Sequence, residues 1–200
     1  MLVLASASPR RHELLRNAGI PFFVQPTDIP EVPHPREAPR TFAERLAREK
    51  ALAIFRKRRP QDFVLGADTV VVVEEQILGK PRDAADAARM LGLLSGRKHR
   101  VITGVCLVGP QLRSEDQPQS GFEDVRSETT EVTMDALSDE DVRSYVSTGE
   151  PMDKAGAYAI QGRASRWVSR IEGDYFNVVG LPVSLVYKML RAHGVAWTET

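Results

Sequence analysis

An aspartate stands inside the most apolar stretch of this chain, Phe63-Val64-Leu65-Gly66-Ala67-Asp68-Thr69-Val70-Val71-Val72-Val73. A carboxylate in such a run costs several kcal/mol to bury unless it is paired, hydrogen-bonded or bound to a cation. Lys50 is out of place in a similar way, on the apolar face of a helix among alanines, and Lys80 precedes a proline, which favours an extended segment. Arg10 and Arg11 fall in the first turn of a helix, an end that already carries partial positive charge. Together these four cations, with Asp68 at the floor, form a set suited to a polyphosphate. Helix N–H groups and arginine forks hold phosphate oxygens, while a carboxylate-held divalent ion activates water. Each residue also has a plainer reading: Asp68 with Thr69 capping a bulge, Lys50 snorkelling over core surface, Lys80 simply solvated. The residues alone leave both readings open.

Two more stretches bear on a ligand. Ser6-Ala7-Ser8-Pro9-Arg10-Arg11 joins a short apolar strand to that first helix, with Ser8 a natural N-cap and Pro9 at the first helical position. Asp153-Lys154-Ala155-Gly156-Ala157-Tyr158 places small residues between polar ones, a composition that lets something approach the backbone. Gln161 follows with the donor and acceptor pair needed to read a base edge, although a tight turn with surface polar groups accounts for any one of these residues singly. Trp167 and Tyr175 are read as packing residues rather than base-stacking platforms.

Composition narrows the partners. Lys plus Arg equals Asp plus Glu at 27 each, so no overall field draws the chain to nucleic acid or anionic lipid, and any anion binding is local. No apolar run approaches a membrane span and the N-terminal run has no signal-peptide pattern, which reads as a cytoplasmic chain. Cys106 is the single cysteine, in an apolar strand, and reads as a small core residue; the four histidines lie far apart without metal-binding spacing. A metal, if used, is therefore held by carboxylates.

The elements that must position these residues follow from periodicity. Strands are predicted at Leu2–Ala5, Pro21–Gln25, Phe63–Val73, Ile77–Leu78, Arg100–Val108, Ser127–Ala136 and Trp167–Ile171. Helices are predicted over Arg11–Gly19, from the capping-box residues Thr41 to Glu44 through Arg56, over Ala84–Leu94 after Asp83, from Ser138 to Thr148, and over Pro182–Ala192. The fifth and sixth strands pair across a long polar segment, Gly109 to Asp124, and Pro26 to Pro39 is an exposed irregular loop. Mixed strands and helices without a repeat give an α/β or α+β fold, taken as one domain over residues 1–200.

The chain resembles the Maf proteins, septum-formation-inhibitor-like nucleotide pyrophosphatases. The motifs are collinear: LASASPRR at Leu4–Arg11, LAREKA at Leu46–Ala51, GADTVV at Gly66–Val71, GKPRD at Gly79–Asp83, LSG at Leu94–Gly96, GEPMDKAGAYAIQG around Glu150, and GDYFNVVGLP at Gly173–Pro182. The resemblance implies an α/β fold, a mixed twisted sheet flanked by helices with two lobes around a deep cleft, similar to inosine-triphosphate pyrophosphatases, and commonly a homodimer. It implies cleavage of a nucleoside triphosphate between the α and β phosphates, by metal-assisted water attack on the α phosphate with Mg²⁺, Mn²⁺ or Co²⁺. Asp68 matches the family's general base and metal-associated carboxylate. Arg10, Arg11, Lys50 and Lys80 fall on phosphate-binding positions with Ser6 and Ser8 beside them, and Arg10, Thr69 and Gln161 on positions tied to substrate choice. Asp153 and Lys154 lie in the same substrate-side stretch. The DKAGAYAIQG form resembles the branch acting on dTTP and UTP, with modified pyrimidine nucleotides such as 5-methyl-UTP also implied, rather than the branch acting on 7-methyl-GTP. Where the family has an acid-rich SDIDE, this chain has Thr27-Asp28-Ile29-Pro30-Glu31, so Glu31 stands as the second metal-side carboxylate on a departed motif. The competing readings are a non-catalytic nucleotide-binding regulator of cell division and a phosphomonoesterase. The role of the polar segment before Asp124 is not assigned.

Overall fold

Apolar β-branched runs and alternating amphipathic segments give seven strands and six α-helices among the described residues of the computed structural model, which are 1–59, 61–110, 121–195 and 197. The strands are β1 (Leu2–Leu4), β2 (Phe23–Val24), β3 (Phe63–Val73), β4 (Gln76–Leu78), β5 (Lys98–Pro110), β6 (Gly121–Met134) and β7 (Val168–Glu172). The helices are α1 (Pro9–Asn17), α2 (Pro39–Phe55), α3 (Ala84–Leu94), α4 (Asp139–Val146), α5 (Tyr175–Val179) and α6 (Val183–Ala192). The sheet order is β2-β1-β3-β5-β6-β7, with β4 on β3. β1 runs parallel to both β2 and β3, through the registers Val3↔Phe23 and Val3↔Val64, whereas the β3–β4 and β6–β7 pairs are antiparallel. Of the α/β and α+β alternatives left open by the pattern, the mixed α/β architecture implied by the resemblance is the one observed.

The chain divides into two compact units, each assembled from separate segments. The first holds residues Met1–Asp68, Thr103–Glu128 and Gly180–Thr200, and the second Thr69–Ile102 and Thr129–Val179. In the first unit, β1, β3 and β5 supply one wall of a core and α2 the other: Val3, Ala5, Ala47, Ala51, Ile54, Val64, Cys106 and Val108 pack together, each at most 2% exposed. Cys106 is the small core residue expected, and burial pushes its thiol up to about 12, far from a nucleophile's range.

Two glycines explain how closely α2 lies on the sheet. A Cβ on Gly66 of β3 would sit 2.2 Å from the Ala47 carbonyl oxygen, and one on Gly104 of β5 would sit 2.3 Å from that of Ala43. Side-chain-free positions on neighbouring strands thus form a bed for the helix backbone. The alanine-rich face of α2 is the complementary half of that packing.

Some boundaries differ from the sequence-based expectation for physical reasons. Helix α2 begins at Pro39, two residues before the capping-box threonine, and Ala38 at its N-cap makes no side-chain cap. Proline at the first helical position has its φ preset and loses no hydrogen bond there, which suffices to start the helix. Ser8 precedes α1 as expected but does not cap it with its side chain. The Ser138–Asp141 capping box opening α4 is complete, and Asp83 accepts from the Asp86 N–H at the start of α3. α5 was not foreseen; Asp174 Oδ1 accepts from the Phe176 N–H at 2.8 Å and starts it. Trp167 is buried as expected, but Tyr175 is 41% exposed and is not a packing residue of the core. Residues 111–120 of the predicted polar segment lie outside the described residues; the strands on either side reach Pro110 and start at Gly121.

Candidate active site

The first unit brings five of the chemistry-bearing residues into one cluster. Asp68 shares the β3 face of Gly66, because side chains two apart on a strand point the same way. That is the face on which α2 is bedded, so Lys50, one helical position short of Ala51, reaches along it: its Nζ donates to Asp68 Oδ1 at 2.5 Å. The same Nζ donates to Glu31 Oε1 at 2.7 Å, which draws the exposed proline-rich loop onto the site. Lys50 and Asp68 are both buried, at 7% and 6% exposure, so this is an ion pair held out of water rather than a surface bridge.

The loop before α1 closes the other side. Ser6 Oγ accepts from the Ser8 N–H at 3.2 Å and from Arg11 at 3.2 Å, and the Ser6 carbonyl lies 2.9 Å from His12 Nε2. Arg11 also donates to the carbonyls of Ala67 at 2.9 Å and Gly180 at 2.8 Å. The guanidinium therefore ties the Ser6 loop to the strand residue preceding Asp68 and to the chain just before α6. Arg10 and Arg11 sit at the N-terminal turn of α1, where N–H groups and the helix dipole favour an anion.

Burial is the largest influence on the Asp68 carboxyl and raises it above its ordinary value. Lys50 and Arg11 pull the other way, and Glu31 adds a smaller upward push. Burial likewise lowers the Arg11 guanidinium against the attraction of Asp68 and Glu31. A carboxylate made more basic by desolvation, with two cations favouring its charged form, has the properties of a general base.

The remaining predicted residues belong to the second unit. Thr69 follows Asp68 on the opposite face of β3 and is half-buried. Lys80 is exposed in the loop after β4, and that loop is fixed by the Gly156 N–H donating to the Gly79 carbonyl at 3.0 Å. Gly156 has φ +68, and a Cβ there would lie 2.9 Å from the Val71 side chain, so the small residues of the motif serve close packing on β3. Lys154 donates to Asp153 at 2.5 Å and to the Glu150 carbonyl at 2.8 Å, and Gln161 is exposed on the turn that follows.

Sequence reasoning missed two supports of this segment. His99 Nε2 lies 2.8 Å from the Tyr158 hydroxyl with the rings edge to face, and Tyr145 hydrogen-bonds Glu150. No local signal marks the first pair, whose members are 59 residues apart, and the second, only five apart, has no pattern that sets it off. Burial lowers His99 to about 4 from an ordinary 6.5. The native state thus holds it neutral, while the unfolded chain takes up a proton as pH falls below 6.5. Stability from this group is complete above pH 6.5 and is lost toward pH 4, by about 3 kcal/mol at 1.36 kcal/mol per unit. A His99→Gln variant is expected to show a flatter decline in melting temperature over that interval; parallel declines in the two proteins would refute this assignment.

The model of a family described as Maf-like protein matches residues 1–193. The dTTP/UTP pyrophosphatase of Koribacter versatilis is 57% identical over 194 residues, 97% of this chain and 95% of the relative. That of Geobacter sulfurreducens is 52% identical over 193 residues, 96% of each. A solved structure, the nucleoside-triphosphatase/dITP/XTP pyrophosphatase of Mycobacterium abscessus, matches 68% of this chain and 75% of its own at 19% identity and a TM-score of 0.41. The motifs that first suggested the resemblance lie within the matched span, and the buried Lys50–Asp68 pair is built from two of them. By the family match over residues 1–193 and by relatives more than half identical over nearly their whole length, this chain belongs to the Maf family.

Proposed function

We propose that this chain is a nucleoside triphosphate pyrophosphatase that acts foremost on dTTP and UTP and on modified pyrimidine nucleotides. The observation that carries the reading is the Lys50–Asp68 pair, buried in a cluster with Arg11, Ser6 and Glu31. The names of the two relatives support the substrate class. Asp68 accepts the proton of a water whose oxygen attacks the α phosphorus; the bond from that phosphorus to the bridging oxygen breaks, and pyrophosphate leaves with the bonding electrons. Lys50, Arg10 and Arg11 lower the energy of the charge that builds on the phosphate oxygens, which is most of what such catalysis requires. Ser6 and Ser8 shape the phosphate loop. Thr69, Lys80, Asp153, Lys154 and Gln161 serve the substrate, Lys80 through phosphate and Gln161 through the base.

A divalent cation fits the residues present. Asp68 and Glu31 already converge on one positive charge, the Lys50 ammonium, and no cluster of three or more His, Cys, Asp or Glu side chains suited to a metal occurs among the described residues. That donor set suits Mg²⁺ or a similar ion, which is commonly held by one or two carboxylates and completed by substrate phosphates. When bound, such an ion polarises phosphoryl oxygens and makes water a stronger acid. No helix among the described residues is long and apolar enough to cross a membrane.

The test is a panel of dTTP, UTP, 5-methyl-UTP, 7-methyl-GTP and the purine triphosphates with Mg²⁺ or Mn²⁺, following pyrophosphate and orthophosphate separately. Pyrophosphate with matching monophosphate, fastest from the pyrimidines, is the expected result. Orthophosphate alone would make the chain a phosphomonoesterase, and nucleotide binding without any product would make it a regulator.

A further inference from the structure

Residues Glu150 to Arg163 carry three of the substrate-side groups but lie in short 3-10 turns, with no long helix or strand to hold their shape. Their geometry is fixed instead by a closed hydrogen-bonded clasp. Tyr145 on α4 is fully buried, edge to face with Trp167, and donates its hydroxyl hydrogen to Glu150 Oε1 at 2.8 Å. The Tyr145 oxygen in turn accepts from the Ala159 N–H at 3.1 Å. Both Glu150 oxygens receive the Arg163 N–H, at 3.0 and 3.3 Å. Gly162 completes the fit, because a Cβ there would stand 2.2 Å from Glu150 Oε1. The Glu150 carbonyl meanwhile accepts from Lys154. Gln161 thus lies between two backbone N–H groups, of residues 159 and 163, that answer to one carboxylate–phenol pair.

We infer that the Tyr145–Glu150 clasp is the positioning device for base selection, setting where Gln161 stands while touching no substrate itself. The inference rests on the pyrophosphatase reading and deepens it. Recognition of a base edge needs placement to within about half an ångström, and small misplacements lose large factors in rate. Two local supports argue against a merely structural role. The buried ring of Tyr145 packs on Trp167 independently of its hydroxyl, and the clasp's N–H partners bracket the one side chain with base-reading chemistry.

The experiment compares Tyr145→Phe, which keeps the ring and removes the bridge, with Glu150→Ala and Glu150→Gln. The readouts are kcat and KM for dTTP against 7-methyl-GTP, and amide hydrogen exchange over residues 157–165. Tyr145→Phe and Glu150→Ala are expected to lower the discrimination between the two nucleotides by about tenfold, mainly through a higher KM for dTTP, and to speed exchange in that peptide. Glu150→Gln, which still accepts from Arg163 and Tyr145, retains most of both. An equal fall for both nucleotides, or unchanged discrimination with faster exchange, would overturn the inference. A wild-type protein inactive on every nucleotide would instead refute the underlying function, and would be seen before any variant is compared.

Discussion

Replacing Asp68 with asparagine is expected to lower kcat by about a thousandfold, the scale on which a positioned general base acts, and to leave the fold intact. The amide has the carboxylate's shape but neither its charge nor its basicity. The fold survives for a reason visible in the cluster: Lys50 retains Glu31 as a partner at 2.7 Å, so no cation is stranded, and a neutral group replaces one that burial disfavours. The melting temperature of Asp68→Asn is expected within a few degrees of the parent. Circular dichroism with steady-state kinetics measures both quantities, and near-normal turnover by the variant removes Asp68 from the chemistry.

The second large effect comes from the other half of the pair and has a different signature. Lys50→Met keeps the length of the side chain on the alanine face of α2 and removes the charge. Asp68 is then buried without its Lys50 partner, with Arg11 still pulling on it, and Glu31 loses its bond to Lys50. Stranding one partner of a buried pair costs about 3 to 5 kcal/mol, which corresponds to a fall in melting temperature of about 10 °C in a chain of this size. Catalysis falls as well, and the acid limb of the pH–rate profile moves to higher pH because the loss of a neighbouring cation raises the carboxyl further. The two variants therefore separate: one is stable and inactive, the other unstable with a shifted profile. A Lys50→Met protein as stable as the parent would show that the pair contributes nothing to holding α2 and β3 together.

Both members of that pair were legible in the sequence because each violates a local rule. Asp68 interrupts a β-branched run, and Lys50 stands on a face otherwise built of alanine, leucine and isoleucine. Such violations are expected where function has overridden the stability of the element. Helices α1, α3, α4 and α6 were legible from periodicity and from Pro9, Asp83 and Ser138 at their starts. Glu31 was visible only through the family resemblance, since its proline-rich loop has no period and its nearest motif is altered. The beds for α2 at Gly66 and Gly104 could not be read either, because a glycine in a strand does not announce which helix approaches it. The turn between the strands predicted at Phe63–Val73 and Ile77–Leu78 lies where the sequence puts it, but its conformation could not be read: Glu74 and Glu75 both adopt positive φ, at 47° and 63°, for which glycine or asparagine is the usual signal. Salt bridges from Arg97 to Glu74 at 2.7 Å and from Arg100 to Glu75 at 2.5 Å support it, and both partners are remote in sequence. The Tyr145–Glu150 clasp was hidden for another reason, since its partners are only five residues apart. A hydroxyl and a carboxylate at this spacing are common in any chain, and only the fold shows that they bind the backbone on either side of Gln161.

In the proposed reaction, water attacks the α phosphorus of a nucleoside triphosphate in a site built on Asp68. The most direct measurement is hydrolysis of dTTP in ¹⁸O-labelled water with Mg²⁺, followed by mass spectrometry of both products, run in parallel with the Asp68→Asn protein. Label is expected in dTMP, with none in the pyrophosphate and no labelled product from the variant within the same interval. Label in pyrophosphate or orthophosphate, or equal labelling by the variant, would contradict it.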